Sequence, residues 1–172
     1  ERQPSPGGPV NFALHHRFDH PADRVWATLL DPAYITAASK LSDIEKVVER
    51  DEERDGKQFV RTRCTSPREL PRIMRRAIGS DKLVYHLEEI RDHANHTLQW
   101  RIIPGALASK VKAEDTYTLR ATPNGCERLV KGEVRVAIPI VGSKIEGGIG
   151  KELKTGYEKA AELTRSWLEE NP

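Results

Sequence analysis

The stretch Ser143-Lys144-Ile145-Glu146-Gly147-Gly148-Ile149-Gly150-Lys151-Glu152-Leu153-Lys154-Thr155-Gly156-Tyr157 opens the segment that decides the fold. Ile145, Ile149, Leu153 and Tyr157 recur every four residues, and Ala160, Thr164 and Trp167 prolong the stripe, with Leu163 and Leu168 beside it. Lys151, Lys154, Glu158, Glu162 and Arg165 take the opposite side, so one face of this helix must be buried against something broad. With about 25 residues it spans roughly 38 Å at the usual rise per residue. Ser143 and Glu146 have the spacing of a capping box, which predicts the helix start.

The chain upstream supplies strands to receive that helix. Phe12, Leu14, His16 and Phe18 alternate with Ala13, His15 and Arg17, the period of a half-buried strand. After Asp19-His20-Pro21, the residues Val25, Trp26, Leu29 and Leu30 recur at helical spacing, with Pro21 placed where a helix tolerates a missing N–H. Asp31-Pro32 repeats the device and starts a second short helix through Tyr34, Ile35 and Ala38. Three hairpins follow. Residues 44–50 and 58–65 flank Asp55-Gly56, 83–90 and 97–103 flank a polar turn, and 111–121 and 127–138 flank Pro123-Asn124-Gly125. The predicted class is α+β, with seven strands, two short helices after the first strand, and one long last helix.

Three segments carry a family resemblance: Phe18-Asp19-His20-Pro21-Ala22-Asp23-Arg24-Val25-Trp26, Asp31-Pro32-Ala33-Tyr34, and Val136-Ala137-Ile138-Pro139-Ile140-Val141-Gly142-Ser143-Lys144-Ile145-Glu146. With the order of elements, they make residues 11–169 resemble the helix-grip fold of the START and polyketide-cyclase-like (SRPBCC) superfamily, in a bacterial branch of the domain-of-unknown-function kind. The resemblance implies a curved antiparallel sheet around the last helix, ordered first strand, seventh, sixth and so on down to the second. It also implies an apolar ligand between sheet and helix, and it transfers no catalytic residue. In that strand order Cys64 and Cys126 lie too far apart to bridge and stay free thiols.

One parity of each strand would line the space under the helix: Leu98, Trp100 and Ile102; Tyr117; Val130, Val134 and Val136; Val60, Thr62 and Cys64. The helix adds Ile149, Leu153 and Tyr157, while Gly148, Gly156 and Ala160 would leave volume unfilled. A glycine inside a helix costs about 0.8–1 kcal/mol relative to alanine, so Gly156 calls for a reason: an empty cavity, or close packing of a bulky strand residue. His16 and Asp115 share parity with apolar neighbours and would be costly to bury without partners. They pair with each other, meet a ligand head group, act as acid and base, or sit at a wet rim. His15, His16 and His20 cluster near one strand end, and Asp92, His93 and His96 sit in a turn, where exposed polarity is expected and no metal or cofactor is. No phosphate loop stands between a strand and a helix, and there is no nucleophile elbow.

Charge is uneven along the chain. Residues 57–76 hold seven basic side chains against Glu69 alone, after an acidic run from Asp43 to Asp55. Pairing across the Asp55-Gly56 hairpin accounts for Arg61 and Arg63. Arg72, Arg75 and Arg76, interleaved with Leu70, Ile73 and Met74, read either as a solvated loop or as a basic lip at the cavity mouth that meets anionic lipid or an acidic ligand.

Across all 172 residues, 37% are apolar, 31% are charged and the net charge is +2, which suits one globular domain and argues against a nucleic-acid partner. No apolar run reaches the ~20 residues of a membrane span. Residues 1–10, with three prolines and two glycines, predict a disordered lead-in to a domain at 11–172. No leader is visible, so a cytoplasmic location is expected. The expected function is binding of a lipid-like or aromatic small molecule as carrier or sensor. The alternatives are a cyclase- or dehydratase-like enzyme on such a molecule, or a protein-interaction module of the chaperone-activating kind.

Overall fold

Asp55 and Gly56 take φ of 51° and 75°, the left-handed pair of a two-residue hairpin turn, and this fixes Arg54 opposite Lys57. The computed structural model describes residues 9–70, 72, 75, 76 and 79–172. Residues 1–8 of the expected lead-in, and Ile73 and Met74 of the basic lip, lie outside the described residues. In chain order the elements are β1 (Val10–Phe18), α1 (Ala22–Leu30), α2 (Pro32–Ser39), β2 (Glu45–Arg54), β3 (Lys57–Glu69), β4 (Lys82–Asp92), β5 (Thr97–Ile103), a 3-10 turn (Gly105–Leu107), β6 (Val111–Thr122), β7 (Gly125–Val136) and α3 (Gly142–Glu170). The strands form one antiparallel sheet in the order β1-β7-β6-β5-β4-β3-β2, the helix-grip arrangement. The first strand begins at Val10, which pairs with Val134, two residues before the alternation starting at Phe12.

The second short helix follows the expected chemistry, whereas Pro21 is the N-cap of α1 and Ala22 its first helical residue. Pro21 precedes α1, and its carbonyl accepts from the Arg24 and Val25 N–H groups. Asp31 caps α2 by accepting from the N–H groups of Ala33 and Tyr34 at 2.8 and 3.0 Å, with Pro32 at the first helical position. The start of α3 is different. Its N-cap is Val141, with no side-chain cap, and Glu146 turns away to accept from the Val136 N–H at 2.6 Å, buried at the end of β7. A carboxylate that secures the strand preceding the helix cannot also close a capping box.

Register aligns the sheet side that faces α3 into rows. Phe12, Gly132, Asp115, Trp100, Glu89 and Val60 form one row. Leu14, Val130, Tyr117, Leu98, Arg91 and Gln58 form the next, and His16, Arg128 and Leu119 a third. α3 packs mainly on β7 and β1, and its residues Ala161, Thr164 and Leu168 are buried. Phe18, Val25, Trp26, Leu119 and Val130 complete that core. A second cluster joins Ala113, Val134 and Val136 to Ile102, Ile149 and Leu153.

Several side chains depart from their sequence reading. Arg63 does pair back to β2, at Glu49, but Arg61 reaches the other way, to Glu88 of β4 at 3.0 Å, because that carboxylate is largely shielded and also holds Arg101. His93 and His96 are more than turn polarity. His93 Nδ1 accepts from Trp26 Nε1 at 3.1 Å, His96 meets Asp23 at 3.0 Å, and both rings pack on the indole. Gly156 is exposed, with nothing within 4 Å of a Cβ built there, so no bulky strand residue packs against it. It lies one turn after Glu152, whose exposed carboxylate reaches Arg68 of β3 at 3.3 Å, so this side of the helix is open to solvent. Cys64 and Cys126 are buried free thiols on β3 and β7. Among the described residues no helix is long and apolar enough to cross a membrane.

Two glycines should respond oppositely to a methyl group. A Cβ on Gly132 would fall 2.4 Å from Asp115 Cβ and 2.6 Å from the Glu114 carbonyl, and backbone cannot yield. Gly132→Ala is expected to destabilise by at least the ~1–3 kcal/mol of ordinary overpacking. Gly156→Ala is expected to stabilise by up to about 1 kcal/mol through helix propensity alone. Urea unfolding of both variants checks the pair of signs.

Candidate functional site

Gly132 is the residue that makes room for the centre of the concave face. Lacking a side chain, it lets Asp115 and the Phe12 ring crowd over β7. Asp115 is 4% exposed. Its two carboxylate oxygens accept from the Tyr157 hydroxyl at 2.9 and 2.8 Å, and Trp100 Nε1 donates to that hydroxyl at 3.1 Å. Three elements, β5, β6 and α3, therefore meet in one hydrogen-bonded relay. Burial pushes the Asp115 carboxyl up to about 7, against the pull of the Tyr157 hydroxyl, the Arg128 charge and Trp100. Burial and the neighbouring Asp115 charge push the Tyr157 phenol well above its ordinary value, so it remains a donor.

His16 and Asp115 do not touch each other. They are linked through Tyr157, on which the His16 imidazole stacks with centroids 6.4 Å apart and planes at 24°. His16 Nδ1 lies 3.4 Å from Arg128 Nη2, which also donates to the Tyr157 carbonyl at 3.2 Å. Burial, followed by the charges of Arg128, Arg165 and His15, lowers His16 to about 4, so the ring is neutral and accepts from the guanidinium. His15 points the other way and meets Glu127 at 2.6 Å.

Of the expected lining residues, Trp100, Tyr157 and Asp115 come together in the relay, and Leu98 and Tyr117 lie in the row beside it. Ile102, Val134, Val136, Ile149 and Leu153 pack in the second cluster. Thr62 is buried on β3, while Gly156 lies on the exposed side of α3. Arg72, Arg75 and Arg76 are helical, with Arg72 and Arg76 exposed and Arg75 reaching Asp81 at 3.7 Å. Two surface depressions, of about 600 and 650 Å³, are present: one around Gln99, Thr116 and Lys131, whose lining also includes Trp100, Asp115 and Gly132, and one around Pro21, His96 and Gly125 at the sheet end. Among the described residues there is no cluster that would hold a metal.

The residue missed by sequence reasoning is Arg128. It is 2% exposed at the heart of the site, and its parity with Cys126 and Val130 was the available signal. Glu89 and Arg91, paired at 2.7 Å, add charge to the same concave face beyond the polar residues expected there, Thr62, His16 and Asp115.

A curved seven-stranded sheet gripping a long helix, with a buried polar relay at their junction, defines a helix-grip protein. Residues 13–168 match the model of a family described as "Protein of unknown function (DUF2505)", and the chain belongs to that family. No curated protein matches it in sequence. Among solved structures it is similar to the Zhui aromatase/cyclase from Streptomyces sp. R1128, at 13% identity over 94% of this chain and 93% of that one, with a TM-score of 0.58. Norcoclaurine synthase from Thalictrum flavum, in complex with dopamine and hydroxybenzaldehyde, is similar at 20% identity over 95% and 90%, with a TM-score of 0.57. A protein of Thermus thermophilus is similar at 15% identity over 92% and 95%, with a TM-score of 0.59. At these identities the likeness is one of fold.

The two buried titrating groups oppose each other. Folded Asp115 keeps its proton up to about pH 7, and unfolded it loses it near 4, so its contribution to stability falls as pH rises between those values. Folded His16 protonates only near 4, against 6.5 unfolded, so its contribution rises with pH between about 4 and 6.5 and is constant above. Asp115→Asn removes the falling part alone. Between pH 5 and pH 8 the stability of Asp115→Asn relative to the parent should therefore improve by a few kcal/mol, about 1.4 per unit of displacement. Urea unfolding at both pH values measures this, and an unchanged difference contradicts it.

Proposed function

We propose that the protein binds a small molecule with an apolar or aromatic body between the β3–β5 side of the sheet and α3, and acts as a carrier or sensor within the SRPBCC-like superfamily. The observation that carries this reading is the joined pair Trp100 and Tyr157. Both rings are half-buried at the edge of the core, hydrogen-bonded to each other, beside the open helix side at Gly156. Aromatic walls with few fixed polar groups are the usual make-up of a small-molecule site. The solved complex of norcoclaurine synthase with dopamine and hydroxybenzaldehyde supports the reading from the side of the fold. Leu98, Ile102, Tyr117 and Thr62 are the further lining residues in this proposal. Arg72, Arg75 and Arg76 form its basic lip, where transient contact with anionic lipid would deliver or release the ligand.

A second reading, a cyclase- or dehydratase-like enzyme, is favoured by one observation. Asp115, displaced to about 7 beside a phenol, exchanges its proton near neutral pH, which is the condition for general acid–base work. Native mass spectrometry of freshly purified protein, followed by organic extraction, tests the first reading. The expected result is a reproducible co-purifying apolar molecule, displaced by the uncharged probe N-phenyl-1-naphthylamine. A clean unliganded mass from several hosts, with no uptake of the probe, contradicts it. Chemical change of the extracted molecule on return to fresh protein would favour the enzyme.

A further inference from the structure

The Arg128 guanidinium is almost wholly buried, yet among the described residues no carboxylate pairs with it. Its hydrogen bonds run through Nη2, to the Tyr157 carbonyl and to His16 Nδ1, and its buried Nε has no partner. The rings of Tyr157, Phe18 and Tyr117 surround it at 5.1, 5.7 and 5.7 Å, which favours the cation but satisfies no N–H. Asp115, one row further along the sheet from Tyr117, is engaged by Tyr157. A buried charge left in this condition is costly, and structures normally provide a counter-ion.

Two neighbours show the same surplus of donors. Arg91, in the row of Tyr117, gives Nη2 to Glu89 but also has a buried, unpartnered Nε. The Tyr117 hydroxyl makes no hydrogen bond among the described residues, and burial raises its pKa, so it stays protonated. Arg128 and Tyr117 thus present unused N–H and O–H groups in adjacent rows of the concave face, with Arg91 behind them. An anion with several acceptor lone pairs is what such a set recognises.

We propose that the concave face receives the ionised carboxylate of an otherwise apolar ligand against Arg128, with the Tyr117 hydroxyl as second donor, so that the ligand class is hydrophobic carboxylic acids. The inference rests on the binding function proposed above and specifies its chemistry. Fluorescence titration with cis-parinaric acid and with its methyl ester tests it, because the ester keeps the polyene chain and replaces the ionised carboxylate with a neutral methyl ester. The parent should bind the acid at least about tenfold more tightly than the ester, as a charge-assisted contact implies. Arg128→Met, checked for folding by circular dichroism, should bring the two affinities together. Equal affinity of the parent for acid and ester, or a preference surviving in Arg128→Met, overturns the carboxylate inference and leaves the binding function standing. Binding of neither probe overturns both.

Discussion

The hydroxyl of Tyr157 meeting the carboxylate of Asp115 is the contact around which the concave side of this sheet is organised. A carboxyl group taken out of water is costly unless hydrogen-bonded. Here the main partner comes from α3, across from the strand neighbours Gly132 and Trp100. That contact sets the rotation of the helix. With Tyr157 turned toward β6, the residues four and seven positions on, Ala161 and Thr164, are buried, and Gly156 is left facing outward. Thr164 then accepts or donates to Tyr34 at 2.8 Å, which ties α2 to the same helix.

The same contact creates an electrostatic gradient across the face. Asp115 and Glu89 occupy one row, and Arg91 and Arg128 lie in the following two. Glu89 and Arg91 neutralise each other, whereas Asp115 and Arg128 are separated by the Tyr157 ring and do not. Buried charges held apart in this way weaken the fold, because a hydrophobic replacement would cost less. For that reason the site, rather than the fold, is the place to look for function.

Much of the architecture was legible from the chain. The period-2 runs, Asp55-Gly56 and Pro123-Asn124-Gly125 mark hairpins through backbone requirements that are local and strong. The strand order rests on resemblance, since spacing alone does not say which hairpins neighbour which. Asp115 and His16 stand out by parity, and Tyr157 by its place on the helix stripe, but their connection through one phenol depends on the rotation of α3. Glu146 escapes the sequence reading because a capping box and a carboxylate reaching back to Val136 have the same spacing. Arg128 hides among many surface arginines, although its parity sets it facing inward. Gly156 adjoins Tyr157 in sequence, yet one residue along a helix is a turn of about 100°, which is enough to move it from the sheet to solvent.

A double-mutant cycle on Tyr157→Phe and Asp115→Ala, measured by urea unfolding at pH 8, tests this organising contact most directly. At that pH Asp115 is ionised and its dependence on the Tyr157 hydroxyl is greatest. The account predicts a coupling energy of about 1–3 kcal/mol, the range of directly interacting buried groups. Additivity within about 0.3 kcal/mol would contradict it.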